Sequence, residues 1–186
     1  MKLNHNDLDL IAGARNGDSN AFKEIIKKYE HRVAATVIGM LGHCAEAEDI
    51  GQETFIRFYQ SLDRFRGDAS IGTYLTRIAI NLSLNEIKRR KRKRKLFFSN
   101  PEDKIENIPD KDNAMNQKDN KKIVQMGLEK LEPKLRTVIV LRLIDGYSTK
   151  ETAKILNLPL GTVLSRLARA QMRLKEILTP LFGGET

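Results

Sequence analysis

Residues 148–173 read STKETAKILNLPLGTVLSRLARAQMR, and the punctuation of this stretch decides how the rest of the chain is read. Ser148 followed three residues later by Glu151 is a capping box, which opens a helix by satisfying two backbone donors reciprocally. Ile155 and Leu156 give that helix a core face, and Ala153 leaves room for a close crossing. Asn157-Leu158-Pro159-Leu160-Gly161 then makes a turn in which Asn157 tolerates left-handed backbone. Thr162 begins a longer helix whose Val163, Leu167, Ala170 and Leu174 recur at the spacing of one buried stripe. Its opposite face carries Ser165, Arg166, Arg169 and Arg173. A short helix, a tight turn and a basic second helix make the helix-turn-helix arrangement, whose second helix fits a DNA major groove. The competing reading, a helical hairpin with no DNA role, leaves three aligned arginines idle.

Working outward, every periodic segment is helical. Val124, Leu128 and Leu131 form one stripe, closed by Pro133; Leu135, Val138, Ile139, Leu141, Leu143 and Ile144 form the next, ended by Asp145-Gly146. Residues 98–120 lose the period, contain Pro101 and Pro109, and read as a linker. On its far side, Asp18 caps a helix with Phe22, Ile25, Ile26, Tyr29, Val33, Val37 and Leu41 on its apolar face, and Gly42 stops it. A second helix, from about Ala45 to Leu62, buries Ile50, Thr54, Phe58 and Leu62 and presents Glu46, Glu48, Asp49 and Glu53 in its early turns, where acids suit the helix dipole. After a loop at residues 64–68, a third helix starts near Ser70 with Ile71, Leu75, Ile78, Ala79 and Leu82 inward. Beside that stripe run Tyr74, Arg77, Asn81, Asn85 and Lys88. They offer a ring for stacking, amides for base edges and cations for phosphates, or else form an ordinary mixed surface around a half-buried Tyr74. The expected fold is all-α: a helical domain over residues 1–97, a linker over 98–120 and a second helical domain over 121–186.

The charge is unevenly placed. Residues 1–87 are net −2 and residues 96–120 net −3, whereas residues 88–95, KRRKRKRK, are net +8 and residues 121–186 net +6. Concentrated basic charge is the footprint of a polyanion partner, although an isolated run reads equally as a solvated tail or a localisation signal. Its position at the end of a helical pattern favours nucleic acid. No apolar run approaches the ~18–20 residues of a membrane span, so no membrane insertion is expected. The N-terminus, MKLNHNDLDL, lacks an apolar signal core, and the one cysteine, Cys44, fits a reducing compartment. Neither a phosphate loop, a helical His pair nor paired cysteines occurs, and His43-Cys44 lack further ligands at metal spacing. No catalytic residue, metal or cofactor is expected, and the chain does not read as an enzyme.

Taken in order, several segments resemble the extracytoplasmic-function (ECF) group of bacterial sigma factors, the promoter-specificity subunits of RNA polymerase. Gly17-Asp18 with Ala21-Phe22 and Tyr29 resembles the start of that family's region 2. Ala47-Glu48-Asp49-Ile50 with Gln52-Glu53-Thr54-Phe55 is similar to its most specific stretch. Residues 62–67, LDRFRG, and 73–81, TYLTRIAIN, continue at the expected spacing. Leu131, Pro133, Arg136 and residues 161–166, GTVLSR, resemble region 4. The chain departs from the family at Tyr74, where Trp is frequent, and at Leu164, where a basic residue is common; its basic block is longer than usual.

The resemblance implies a division of labour. Asp49, Gln52, Glu53 and Arg57 would dock on the core polymerase. Phe65, Arg66, Ser70, Tyr74, Arg77 and Asn81 would capture the unpaired −10 strand, with Lys88 and Arg89 of the basic block holding adjacent backbone. Ser148, Lys150, Thr162, Ser165, Arg166, Arg169 and Arg173 would meet the −35 duplex. The resemblance further implies a cytoplasmic protein, commonly held by an anti-sigma factor, and places nucleotidyl transfer in the core enzyme. Two rivals stand beside it. A sigma mimic that only sequesters an anti-sigma factor needs no phosphate contacts, and a dimeric helix-turn-helix repressor leaves the acidic helix unexplained.

Overall fold

The computed structural model describes residues 5–97 and 117–182, and among them every regular element is helical. The linker expected over residues 98–120 lies almost entirely outside the described residues. The first domain contains α1 (His5–Arg15), α2 (Ser19–Leu41), α3 (Ala45–Gln60), a 3-10 turn (Leu62–Arg64) and α4 (Ile71–Phe97). The second contains α5 (Gln117–Lys130), α6 (Pro133–Ile139), a π-type turn (Val140–Ile144), α7 (Thr149–Leu156), α8 (Leu160–Leu178) and a short 3-10 turn (Thr179–Leu181).

The boundaries have local causes. Asp18 accepts the Asn20 N–H at 2.8 Å to open α2, and Gly42, at φ +80°, closes it by donating to the Ile38 carbonyl. Asp7, only 4% exposed, ties α1 to α2 by accepting from Lys28 Nζ at 2.7 Å and from the Tyr29 hydroxyl at 2.9 Å. Burial and the Asp7 carboxylate both hold the Tyr29 hydroxyl above the ordinary tyrosine range. Arg15, at the end of α1, donates to the Leu62 and Phe65 carbonyls and so fixes the segment between α3 and α4. The capping box at α7 is complete: the Ser148 hydroxyl accepts the Glu151 N–H, and the Glu151 carboxylate accepts the Ser148 N–H. Those bonds hold the Glu151 carboxyl below the usual carboxylate range. Asn157 takes the left-handed conformation at φ 51° and lets α8 turn back on α7.

One core runs through both domains. Ile25, Val33, Val37, Met40, Phe58, Ile71, Leu75 and Ala79 belong to the same buried cluster as Val140, Leu141, Tyr147 and Ile155. A smaller cluster of Leu128, Leu131, Ile139 and Ala170 holds α5, α6 and α8 together. Polar bonds cross the same boundary: Thr36 donates to Asp145 at 2.9 Å, and the Thr76 and Tyr147 hydroxyls lie 3.0 Å apart. Buried Arg136 reaches the Met40 carbonyl at 2.6 Å while also meeting the Glu129 and Leu131 carbonyls. A cation there satisfies carbonyls that the ends of α2 and α5 leave unpaired, where helix dipoles are negative. Gly39 permits the approach, since a Cβ would stand 3.0 Å from Val140 Cγ2 and from Ile144 Cδ1.

Two expectations about packing are corrected. Leu143 and Ile144, expected on the buried stripe, are 57% and 43% exposed. After Ile139 the helix widens, so that the Asp145 N–H bonds back to Val140, and the wider turn rotates both side chains off the α6 stripe. Val124 is 38% exposed, at the edge of its stripe rather than within it.

Candidate nucleic-acid and polymerase-binding surfaces

The 3-10 turn and the segment after it bring an aromatic cluster to the base of α4. Phe65 is 5% exposed, its ring 5.7 Å from Phe58 and 5.1 Å from Tyr74 in edge-to-face geometry. Ser70 is buried too, its Oγ 2.9 Å from Thr73 Oγ1 and accepting the Thr73 N–H at the first turn of α4. Phe65 and Ser70, expected to touch a strand, are both buried in this arrangement: one packs the aromatic cluster, the other caps a helix. Tyr74 is half-buried in that cluster, and Arg66 is exposed beside it.

Along α4 the exposed face carries Arg77, Asn81, Asn85, Lys88 and Arg89 and continues into the basic block. Arg89 is held by two bonds to Glu86, at 2.6 and 2.9 Å, and Arg90 joins Glu86 to Glu46 of α3 at 2.9 and 3.1 Å. The Arg89 hydrogen bond, ahead of the Arg90 contacts, holds the Glu86 carboxyl below the usual carboxylate range. Arg90 also donates to Cys44 Sγ at 3.0 Å. The start of the basic block is thus a strut between α3 and α4, which the charge run alone did not reveal.

On α8, Ser165 and Arg169 face solvent, Ser165 donating to the Thr162 carbonyl and Arg169 to the Ser165 carbonyl. Arg173 is paired with Glu176 at 2.7 Å. Lys150 is exposed on α7, whereas Ser148 has its hydroxyl engaged in the cap. Arg166 turns the other way, into a cavity of about 460 Å³ between the domains. That cavity is lined by Arg77 and Asn81 of α4 and by Lys134, Lys154, Asn157 and Arg166 of the second domain, with Ile80, Leu84 and Leu158 among its apolar walls. Arg77 bridges it, donating to the Lys154 carbonyl at 3.2 Å. Among the described residues, no carboxylate lines it. Arg77 and Asn81 are exposed on α4 as their helical period predicts, whereas Arg166, expected on the outward face with Ser165 and Arg169, is half-buried; that it shares one cavity with Arg77 and Asn81, and that Lys134 and Lys154 join them, lay beyond any single helical period.

On the other side of the first domain, Asp49, Gln52 and Arg57 are exposed along α3, with Glu53 accepting from Arg57 at 2.7 Å. Beside them a cavity of about 620 Å³ lies between α2 and α3, walled by Ile26, Val33, Ala34, Ile38, Ala47 and Phe55 and rimmed by Glu30, Glu48 and Gln52. Among the described residues there is no group of three or more His, Cys, Asp or Glu side chains that could hold a metal, and no helix long and apolar enough to cross a membrane.

Two basic helical faces, a helix-turn-helix and an acid-rimmed apolar groove coincide with known protein regions. Residues 25–93 match the model of sigma-70 region 2, and residues 121–174 match that of sigma-70 region 4. The chain is 31% identical to the RNA polymerase sigma-H factor of Pseudomonas aeruginosa, over 97% of this chain and 98% of that one. It is 34% identical to the ECF RNA polymerase sigma-E factor of Escherichia coli K12, over 94% of this chain and 95% of that one. Among solved structures it is similar to CnrH in complex with the cytosolic domain of CnrY, at 25% identity and a TM-score of 0.68, covering 94% of this chain and 98% of that one. It also shares the fold of the sigma factor RpoE, solved with the anti-sigma factor NepR from Bartonella quintana, at a TM-score of 0.66 and 23% identity over 85% of this chain and 96% of that one. The chain belongs to the ECF group of the sigma-70 family. It is accordingly an RNA polymerase sigma factor, a transcription initiation factor rather than an enzyme.

Proposed function

We propose that the first domain, residues 1–97, docks on core polymerase and captures the −10 strand, and that the second, residues 121–186, reads the −35 duplex. Docking uses the α3 face of Asp49, Gln52, Glu53 and Arg57 together with the adjoining apolar groove, whose acidic rim suits a partner helix with basic and apolar side chains. The −10 strand runs along Arg66, Tyr74, Arg77, Asn81 and Lys88. Arg89, already engaged with Glu86, supplies charge rather than a free fork of donors. Cations there gain by releasing counterions from phosphates, and holding extruded bases offsets part of the cost of unpairing them. The −35 duplex meets Thr162, Ser165, Arg166 and Arg169, with Lys150 and Arg173 toward the backbone and Ser148 fixing the start of α7.

The observation that carries this reading is the exposure of two cationic helical faces, on α4 and α8, each within its matched sigma-70 region. A protein that only sequestered an anti-sigma factor would gain nothing from either face. The protein acts in the cytoplasm, and an anti-sigma factor, the class of partner with which the Bartonella RpoE was solved, would act on the face of the first domain and the cleft beside it.

The deciding experiment is transcription in vitro by bacterial core polymerase on a library of random promoters, with and without this chain. Initiation that depends on the chain and enriches two spaced elements is expected. Binding to core without any promoter-specific initiation would overturn the reading.

A further inference from the structure

Beyond the polar residues of α8 lies a feature that phosphate binding leaves unused. Leu164 is 51% exposed and Leu160 42% exposed, and neither belongs to a hydrophobic cluster of either domain. With Ala168, also exposed, they form a row at four-residue spacing on the N-terminal half of the helix. The row Ser165–Arg169 runs directly beside it, while Val163 and Ala170, both 0% exposed, anchor the opposite side. At about 100° per residue, the outward sector of α8 is therefore divided lengthwise into an apolar strip and a hydrogen-bonding strip. The exposed Arg169 on the neighbouring row adds a cation, which suits a polyanionic partner rather than an oily one.

A major groove offers one apolar group to such a strip, the C5-methyl of thymine, while its other edges present donors and acceptors. The N-terminal residues of a recognition helix are the ones that reach base edges. Resting on the −35 reading of this helix, we propose that Leu164, supported by Leu160 and Ala168, is a specificity-determining residue that selects thymine through its methyl group at one or two positions of the −35 element. Ser165 and Arg169 address the neighbouring bases. A leucine cannot hydrogen-bond a guanine or adenine edge, so selection at those positions comes from burying the methyl and from leaving a rival base's polar edge unpaired.

The test uses the holoenzyme, assembled from core polymerase and the full chain, on a promoter recovered from the random library. Each −35 thymine is replaced in turn by deoxyuridine, which removes only the methyl. At the positions under Leu164 promoter affinity should fall about fourfold, the worth of one buried methyl. In Leu164→Ala the same replacement should have no effect. In Leu164→Arg the preferred base at that position should move to guanine, the partner of a bidentate arginine. Full tolerance of every deoxyuridine, or a methyl effect that survives Leu164→Ala, would overturn the inference while leaving −35 protection intact. A loss of core affinity in Leu164→Ala without any methyl dependence would also overturn it and assign the strip to a protein contact. Absence of −35 protection from the unmodified holoenzyme would instead remove the reading on which it rests. Because Leu164 is half exposed, thermal unfolding of both variants serves as the control for folding.

Discussion

Asp145 shows how a single side chain sets the stability of the closed arrangement. Its Oδ2 accepts from Thr36 across the domain boundary, whereas its buried Oδ1 has no partner. Burial pushes its carboxyl up to about 6, against smaller opposing effects of the Thr36 bond and the Arg32 charge. Arg32 and the Tyr147 ring beneath its guanidinium are the charged and titratable neighbours. With the folded value above the ordinary 3.8, the folded state holds the proton more tightly than the unfolded chain. The stabilisation this gives is complete below about pH 4 and lost as pH rises through 6. Asp145→Asn keeps an acceptor for Thr36 and never charges. At pH 7.5 that variant should be the more stable by about 1–3 kcal/mol, and the gap should close as pH falls from 6 to 4. Paired thermal melts across that range check it; a gap independent of pH would mean that Asp145 titrates normally.

At the scale of elements, the caps were legible in the sequence because they depend on neighbours a few residues apart. Asp18, Gly42, the Ser148/Glu151 box and left-handed Asn157 all stand where their spacing put them. The apolar stripes of α2, α4 and α8 were legible for the same reason. The second buried face of α4, with Thr76, Ile80 and Ser83, was not, because two of the three side chains are hydroxyls and so leave no apolar stripe, although they stand at helical spacing; Thr76 is covered by Tyr147 of the other domain. The burial of Phe65 and Ser70 was not legible for a related reason: a loop has no repeating pattern to separate a buried aromatic from one offered to a ligand. The α3 face is the opposite case, since Glu48 and Asp49 are exposed and Glu53 partly so, as the helical period requires. Reversing two of them, Asp49→Lys with Glu53→Lys, breaks only the surface pair with Arg57 and should leave the melting temperature nearly unchanged. Affinity for core polymerase should fall about tenfold or more, since like charges at an interface are strongly disfavoured. Normal co-purification of this variant with core would remove α3 from the docking surface.

At the scale of the whole molecule, the α4 face with Arg77 and Asn81 and the Arg166 edge of α8 line one cavity of about 460 Å³. A duplex whose major groove alone is about 12 Å wide cannot enter it. On the −35 reading proposed above, Arg166 can therefore reach a duplex only if the domains part, which would break the Thr36–Asp145, Thr76–Tyr147 and Arg136–Met40 contacts and expose Val140 and Leu141. Exposure of that apolar surface opposes opening, and contacts to polymerase and DNA must outweigh it. The crossing at Gly39 supplies a direct test, because a Cβ there lies within reach of position 140. In a Cys44→Ser background, which removes the one native thiol, Gly39→Cys with Val140→Cys should form a disulfide on oxidation at ordinary Cβ separations of about 3.5–4.5 Å. The oxidised protein should melt higher than the reduced one and fail to support promoter-dependent initiation, with activity restored by reduction. Each single-cysteine variant, treated identically, should be unaffected by oxidant. Full activity of the cross-linked chain would show that the closed arrangement already presents both DNA surfaces, and that opening is no part of promoter engagement.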